Sequence, residues 1–223
     1  AHRDTLTSRI LRFFDASTFS VSAPEVTRLV AVGENQTHVL NNTPNFAWSY
    51  FAVGVNTQDS AEVEVGSDND WSVAELWDPP ISIGPDTATA YAGSALSDGG
   101  TYYMRVRSHN GFAWSDWYQS SIRLNSGPGT PSLVSPSDGT VVTGTPAYLT
   151  AQTVTDSEGD AITYQFGIYF DSALSSQEAL LNKTTPSCDI SSQALPENQR
   201  HWWRVRTYDG FEYSAWSSAN YFW

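Results

Sequence analysis

The sequence contains a single cysteine, Cys188, among its 223 residues. One cysteine excludes an intrachain disulfide and any metal site built from several thiolates. We expect Cys188 to be a small buried apolar residue on a β-strand rather than a reactive thiol. Long apolar runs are missing too. None approaches the roughly 18 residues that a membrane-spanning helix needs, which predicts that the chain does not insert into a membrane.

Basic residues are also scarce. The chain carries 11 Lys and Arg against 24 Asp and Glu, a formal net charge of −13, and Lys183 is its only lysine. Phosphate binding needs a basic face, so this balance argues against nucleic acid as a partner. An acidic surface poor in lysine suits a salty or extracellular setting, and we predict a location outside the cell or at the cell surface.

The usual signatures of catalysis are missing as well. None of the four histidines has the spacing of a metal-ligand pair, and the sequence contains no Gly-x-Ser-x-Gly elbow or phosphate-binding loop. Carboxylate pairs are plentiful, but a glycosidase pair is defined by a spatial separation that a sequence does not contain. We therefore predict that the chain is not an enzyme, with no catalytic residue and no organic cofactor.

What the sequence does contain is an internal repeat. The stretch Tyr102–Trp117 recurs as His201–Trp216, and Arg105 aligns with Arg204, 99 positions later. Such a period is too long for a solenoid and fits two copies of a small domain. A Gly- and Pro-rich stretch near residue 127 has the composition of a linker. We predict one domain over residues 21–126 and a second over 127–223.

Residues 1–20 precede the first domain, and they have a different pattern. Leu6, Ile10, Phe13 and Phe14 form one apolar stripe at helical spacing, which predicts an amphipathic helix. A helix this short is marginal alone in water, so the stripe must dock on something. It could dock on the first domain, on a preceding domain, or on another copy of the chain.

From Ser22 onward the chain alternates short apolar-polar segments with Gly, Pro, Asn, Asp and Ser, which is typical of an all-β protein. The predicted strands of the first repeat lie near residues 25–32, 44–49, 61–66, 88–92, 101–108 and 120–125. Those of the second repeat lie near residues 132–135, 147–151, 163–170, 188–190, 200–208 and 220–223. This number of short strands implies an antiparallel β-sandwich in each repeat.

The repeated stretch resembles the motif of fibronectin type III domains, in which a Leu is followed six residues later by a Tyr and then by alternating apolar and Arg positions. Leu96 and Tyr102 match this motif in the first copy, and Arg105 follows. In the second copy Leu195 matches, but His201 stands at the Tyr position, where an imidazole can replace the hydroxyl as a hydrogen-bond donor.

The resemblance implies two antiparallel Ig-like, fibronectin type III β-sandwiches in tandem behind a short N-terminal α-helix. Both copies resemble the divergent kind of these domains that bacterial extracellular enzymes and surface proteins carry. The first copy, with Trp114-Ser115-Asp116-Trp117 after the strand, also resembles the non-catalytic sandwich modules of bacterial α-rhamnosidases.

Alternation along the repeated strand sends Met104 and Val106 to one face and Arg105 and Arg107 to the other. The arginines lie opposite a turn rich in aromatic residues. Guanidinium planes stacked between aromatic rings form a ladder, and each contact contributes about 0.5–2 kcal/mol. We predict two such structural ladders, made of Arg105, Arg107, Trp114 and Trp117 in the first copy and of Arg204, Arg206, Tyr213 and Trp216 in the second.

Most of the nine tryptophans have a place in a ladder or a core. The pattern assigns no core or ladder position to Trp71, Trp77 and Trp202, which therefore have two interpretations. They are either partly buried at an edge of a sandwich or available to stack on a glycan.

The stretch Asp156-Ser157-Glu158-Gly159-Asp160 places carboxylates at alternate positions around a glycine. Hard cations such as calcium take oxygen ligands of this kind, so Asp156, Glu158 and Asp160 are candidate calcium ligands. The stretch is too short for an EF-hand. Its other interpretation is a solvated turn before the next strand.

These patterns favour a non-catalytic structural or adhesive module outside the cell, a spacer or scaffold of a larger secreted or surface protein that could also self-assemble. The alternative is a carbohydrate- or protein-binding accessory module of a secreted glycoside hydrolase or peptidase. The expected partners are a protein, either another copy or a neighbouring domain, or a glycan. Homo-oligomers would form through the N-terminal helix or through strands at a sheet edge.

Overall fold

The structure is a computed structural model that describes residues 22–54, 57–73 and 76–223. The predicted helix in residues 1–20 lies outside the described residues. In the described part of the chain, every regular element is a β-strand, and no helix there is long and apolar enough to cross a membrane.

The described residues form fourteen strands, seven from each repeat. The first repeat contributes β1 (Glu25–Ala31), β2 (Asn45–Phe51), β3 (Ser60–Gly66), β4 (Ser82–Ile83), β5 (Ala88–Ala90), β6 (Thr101–His109) and β7 (Tyr118–Arg123). The second repeat contributes β8 (Leu133–Ser135), β9 (Tyr148–Ala151), β10 (Thr163–Tyr169), β11 (Gln177–Lys183), β12 (Ser187–Asp189), β13 (His201–Tyr208) and β14 (Asn220–Phe222).

The two repeats share one topology. Each has a three-stranded antiparallel sheet, ordered β1-β2-β5 in the first repeat and β8-β9-β12 in the second. Each also has a four-stranded antiparallel sheet, ordered β4-β3-β6-β7 in the first and β11-β10-β13-β14 in the second. The all-β prediction of two fibronectin type III-like sandwiches in tandem is confirmed.

The chain divides into two compact units. Of the residues that the structure describes, those within 1–96 and 101–123 form unit 1, and those within 97–100 and 124–223 form unit 2. Unit 1 contains β1–β7 and unit 2 contains β8–β14. The predicted domain boundary between residues 126 and 127 stays a prediction.

The core of each unit lies between its two sheets. In unit 1, Met104 and Val106 of β6 are buried, as is Phe46 of β2 in the other sheet. In unit 2, the rings of Trp203 and Phe166 stack with their centroids 6.4 Å apart. Both β6 and β13 alternate buried with part-exposed residues through most of their length, so the predicted assignment of faces is confirmed.

Cys188 belongs to the core of unit 2 and is fully buried as a free thiol. Burial, which disfavours the charged thiolate, raises its pKa. The prediction of an inert apolar role is consistent with this surrounding, because the thiolate is the reactive form.

Two strands, β4 and β11, were missed by the sequence reasoning. β4 has only two residues, and both are exposed. β11 has the sequence Gln-Glu-Ala-Leu-Leu-Asn-Lys, which is poor in the β-branched and aromatic residues that strands favour. Antiparallel pairing with β10 from Tyr164 to Tyr169 is what makes it a strand.

Candidate functional site

The outer face of each four-stranded sheet carries the predicted arginines. In unit 1, Arg105 and Arg107 alternate along β6 with the buried Met104 and Val106, so both arginines point away from the core. The chain then turns back after β6 and brings a second set of side chains over the same face.

In unit 1, the two guanidinium groups alternate with three indole rings. Arg105 Cζ lies 4.6 Å from the ring centroid of Trp71 and 4.1 Å from that of Trp117. Arg107 Cζ lies 4.6 Å from Trp117 and 4.8 Å from Trp114. Trp117 therefore stands between both arginines, and the five side chains form one continuous stack that we call ladder 1.

Strand register supplies each arginine of ladder 1 with a carboxylate. Glu62 and Glu64 of β3 lie directly across from Arg107 and Arg105. Glu64 Oε2 accepts hydrogen bonds from Arg105 Nε at 3.0 Å and from a terminal guanidinium nitrogen at 2.7 Å. Glu62 Oε2 accepts from Arg107 Nε at 2.6 Å. Stacking and charge-assisted hydrogen bonds therefore fix the same two guanidinium planes.

Unit 2 builds a second stack, ladder 2, on β13. Arg204 Cζ lies 5.0 Å from the ring centroid of Tyr169 and 4.3 Å from that of Trp216. Arg206 Cζ lies 4.5 Å from Trp216 and 3.7 Å from Tyr213. The order of rings and guanidinium groups is the same as in ladder 1.

Ladder 2 has no carboxylate opposite its arginines. Gln165 lies across from Arg206 and accepts a hydrogen bond from its Nε at 2.8 Å. Gly167 lies across from Arg204, and the hydroxyl of Tyr169 accepts hydrogen bonds from that arginine at 3.0 and 3.2 Å instead. Neutral oxygens thus replace the two glutamates of unit 1.

The serine in each Trp-Ser or Tyr-Ser pair connects the ladder turn to its strand. Ser115 Oγ accepts a hydrogen bond from the backbone N–H of Ser108 at 3.0 Å. Ser214 Oγ accepts from the N–H of Thr207 at the same distance. Both serines are buried, so each hydroxyl pairs a strand N–H that would otherwise lack a partner.

The turn after β6 contains Asn110-Gly111 and the turn after β13 contains Asp209-Gly210, and both glycines have positive φ, +85° and +103°. The side chain of Asp209 accepts hydrogen bonds from the N–H groups of Phe211 and Glu212 and from Asn125 Nδ2. Burial acts to raise the pKa of Asp209, but these hydrogen bonds outweigh it and lower the pKa below its usual value.

The structure brings together all eight residues predicted for the ladders, four in each unit. It adds Trp71 to ladder 1 and Tyr169 to ladder 2. Tyr169 was missed because it lies 35 positions before Arg204, and only the pairing of β10 with β13 brings the two together. The alternating Glu62 and Glu64 were a usable signal, since they share the face of a strand that neighbours the arginines.

The three tryptophans proposed for ligand contact each pack against a neighbour in their own unit. Trp71 stacks on Arg105 in ladder 1. Trp77 meets Tyr91 edge to face, with ring centroids 5.4 Å apart. Trp202 lies 6.0 Å from Tyr221, at a tilt of 40°. All three rings are partly exposed.

The residue at the Tyr position of the second copy, His201, is buried. Its Nε2 lies 2.9 Å from the carbonyl oxygen of Pro196, five residues upstream. Its Nδ1 lies 2.7 Å from Glu178 Oε2. The imidazole therefore contacts both a backbone carbonyl and a carboxylate whose side chain is buried.

Two further features of unit 2 are relevant to binding. The loop between β9 and β10 brings carboxylate oxygens of Asp156, Glu158 and Asp160 within 4.8 Å of one another. A shallow groove of about 410 Å³ is lined by Gln165, Asn182, Lys183, Tyr208 and Tyr213 among others.

Comparison with protein-family models found no match, and comparison with curated protein sequences found none either. Similar solved structures include a multidomain fragment of titin, with 15% identity, a TM-score of 0.47, and coverage of 89% of this chain and 65% of that chain. Another is α-L-rhamnosidase from Streptomyces avermitilis complexed with L-rhamnose, with 14% identity, a TM-score of 0.43, and coverage of 89% of this chain and 24% of that chain. A third is the alpha chain of the chicken interferon gamma receptor, with 14% identity, a TM-score of 0.38, and coverage of 91% of this chain and 98% of that chain. The chain thus spans less than two thirds of the first two.

Proposed function

We propose that the chain is a non-catalytic structural module, a spacer or scaffold within a larger secreted or cell-surface protein. Ladders 1 and 2 carry the proposal. In both units two arginines stack between aromatic rings, and each arginine donates a hydrogen bond to a side chain of the neighbouring strand. The groups best suited to ligand binding or catalysis there are therefore engaged in holding the sheet.

The ladders stabilise the outer face of each four-stranded sheet, which does not pack against the other sheet. A ladder has four arginine-ring contacts, each contributing about 0.5–2 kcal/mol. The total unfolding free energy of a domain is about 5–15 kcal/mol. Even if the contacts are far from additive, one ladder supplies a sizeable fraction of that stability, which suits a module that must stay folded outside the cell.

The first test replaces Arg105 or Arg204 by lysine. Lysine keeps the charge but loses the planar group that stacks on the rings and donates two hydrogen bonds to one oxygen, Glu64 Oε2 for Arg105 and the Tyr169 hydroxyl for Arg204. We expect Arg105→Lys and Arg204→Lys to lower the unfolding free energy by about 1–2 kcal/mol each in urea titrations. Arg28→Lys, at an exposed position of β1, is the control and should change nothing measurable.

The same variants test the structural role under load. In single-molecule stretching of the full chain, each ladder variant should lower the unfolding force of its own unit only. The proposal is ruled out if both ladder variants unfold at the same force as the wild type. It is also ruled out if the wild-type chain is active on glycosidic or peptide substrates.

Glycan binding as an accessory module is the second candidate, and the groove of unit 2 favours it. Amide groups of Gln165 and Asn182, joined by a 3.0 Å hydrogen bond, lie beside the stacked rings of Tyr208 and Tyr213. Polar groups beside aromatic rings are the chemistry that binds sugar hydroxyls and ring faces.

A glycan array followed by calorimetry decides this candidate. The variant is Asn182→Ala with Lys183→Gln, because neither residue belongs to a ladder. Gln152→Ala, at an exposed position next to β9, is the control. Binding that the groove variant loses and the control keeps would favour the accessory module; no binding by the wild type would remove it.

Partners of the structural module would be neighbouring domains or other copies of the chain. Among the described strands, β11 lies at the edge of its sheet and pairs with β10 alone, so its other side is where a further strand would add. Light scattering on the full chain compares wild type with Leu180→Lys on β11 and with Phe13→Ser/Phe14→Ser in the N-terminal segment. The variant that lowers the mass identifies the contact, and a monomeric wild type leaves the spacer role without self-assembly.

A further inference from the structure

We propose that the loop between β9 and β10 binds one calcium ion through Asp156, Glu158 and Asp160. One carboxylate oxygen from each residue lies within 4.8 Å of the other two. Two oxygens bound to the same calcium ion are at most about 5 Å apart, twice the bond length of 2.3–2.6 Å. The three oxygens can therefore reach one ion without rearrangement of the fold.

The state of Asp156 distinguishes this loop from an ordinary acidic turn. Its relative exposure is 9%. Oδ1 accepts hydrogen bonds from the N–H groups of Glu158 and Asp160, at 2.8 and 3.2 Å. Oδ2 is buried and has no hydrogen-bond partner. A buried carboxylate oxygen is rarely left without a donor or a cation, because burial removes the water that would otherwise solvate it.

The other two carboxylates complete a site that an ion can enter. Glu158 and Asp160 are half-buried, so the loop is open to solvent on their side. Three carboxylates in five residues also concentrate negative charge in a chain whose net charge is already −13. Both features favour a cation at this loop, where Oδ2 of Asp156 has no hydrogen-bond partner.

Calcium fits this donor set better than the other common metal ions. The candidate ligands are all oxygens, whereas zinc sites in proteins are built mainly from cysteine and histidine. Magnesium requires near-ideal octahedral geometry and loses its water reluctantly, but calcium accepts irregular sets of six to eight oxygens. Three carboxylates plus water give an expected dissociation constant of about 10⁻⁴–10⁻³ M, the range of extracellular calcium modules.

The experiment uses the full chain, freed of divalent ions with a chelator and then titrated with calcium chloride at constant ionic strength. Calorimetry measures the stoichiometry and the dissociation constant, and thermal unfolding measures the shift in Tm. Glu158→Gln/Asp160→Asn is the main variant because it changes only half-buried side chains and should fold. Asp68→Asn/Asp70→Asn, in an exposed acidic loop of unit 1, makes the same change of charge and is the control.

We expect one calcium ion per chain, a rise in Tm, and at least tenfold weaker binding in the Glu158→Gln/Asp160→Asn variant. The control should bind as the wild type does. Asp156→Asn should also lose binding, and if it fails to fold, the main variant decides. The proposal is overturned if calcium at about ten times the expected dissociation constant gives neither heat nor a Tm shift. Equal binding by the main variant, or an equal Tm shift with magnesium, overturns it as well.

Discussion

The ring of Tyr169 lies over Gly167, so closely that a Cβ on Gly167 would come within 2.9 Å of it. In unit 1 the corresponding strand position is Glu64, which lies across from Arg105 as Gly167 lies across from Arg204. In unit 2 the hydroxyl of Tyr169 thus accepts the hydrogen bonds that a glutamate accepts in unit 1. The absence of a side chain at Gly167 makes room for the tyrosine ring.

Gly167→Ala should therefore destabilise unit 2, although alanine is normally better than glycine within a strand. Tyr169 is buried and bonded to Arg204, so its ring cannot move aside freely. We expect a loss of about 1–3 kcal/mol, typical of overpacking, in urea titrations. Gly127→Ala, whose new Cβ would have its nearest neighbour at 3.7 Å, is the control. An equally stable Gly167→Ala would mean that Tyr169 is not fixed in the ladder.

Replacing Glu64 tests the carboxylate of ladder 1. Glu64→Leu removes the acceptor of two hydrogen bonds from Arg105, in an ion pair whose side chains are only 16% and 9% exposed. We expect a loss of about 1–2 kcal/mol, at the low end for bonds to a charged group because the stacked arginine retains some contact with solvent. Glu64→Gln keeps an acceptor and should lose less. Glu25→Leu, at an exposed position of β1, should be close to neutral.

The buried pair of His201 and Glu178 should behave as one unit. Their side chains are 3% and 8% exposed. His201→Leu leaves the carboxylate of Glu178 buried beside an apolar side chain, and we expect a loss of about 3–5 kcal/mol. Glu178→Leu/His201→Leu should be less destabilised than His201→Leu alone, since no unpaired charge remains. If the losses of unfolding free energy in His201→Leu and in Glu178→Leu add up to the loss in the double variant, the two side chains do not interact.

Asp209 should make unit 2 sensitive to acid. Its pKa is lowered by folding, so its contribution to stability is present above the ordinary aspartate pKa of about 3.9 and is lost as the pH falls through the lower folded value. Between pH 5 and pH 2, the unfolding free energy of the Asp209→Asn variant should therefore fall less than that of the wild type. Urea titrations at several pH values in this range measure the difference.

Some acid sensitivity should persist in the Asp209→Asn variant. Hydrogen bonds from Ser176 and Ser191 also lower the pKa of Asp171 and Asp189. At pH 7 the variant should be less stable than the wild type, because a side-chain NH₂ would then face Asn125 Nδ2, which is also a donor. An unchanged pH dependence would contradict the proposed role of Asp209.

Much of the fold and of the ladders could be predicted from short stretches of the sequence. The alternation of Met104, Arg105, Val106 and Arg107 assigns each side chain to a face because successive residues of a strand point in opposite directions. The repeat of that stretch near Arg204 predicts a second ladder of the same kind. Turn residues such as Asn110-Gly111 predict the hairpin because the backbone needs positive φ there.

Contacts across strands could not be predicted in this way. β11 has the composition of a helix and is a strand only because β10 offers it a partner along its length. Tyr169 reaches Arg204 through the register between β10 and β13, and Trp71 reaches Arg105 from a loop after β3. Trp71 therefore looked free for a ligand in the sequence, although its ring has a partner.

The sequence by itself determined the β class, the duplication, and the face on which each arginine lies, since these depend on neighbours a few positions apart. Tertiary structure alone decided which rings cap the two ladders, that tyrosine over glycine replaces a glutamate in unit 2, and that one oxygen of Asp156 is buried without a partner. Each of these depends on residues far apart along the chain, which come together only when the register of the strands is set by packing of the whole sandwich.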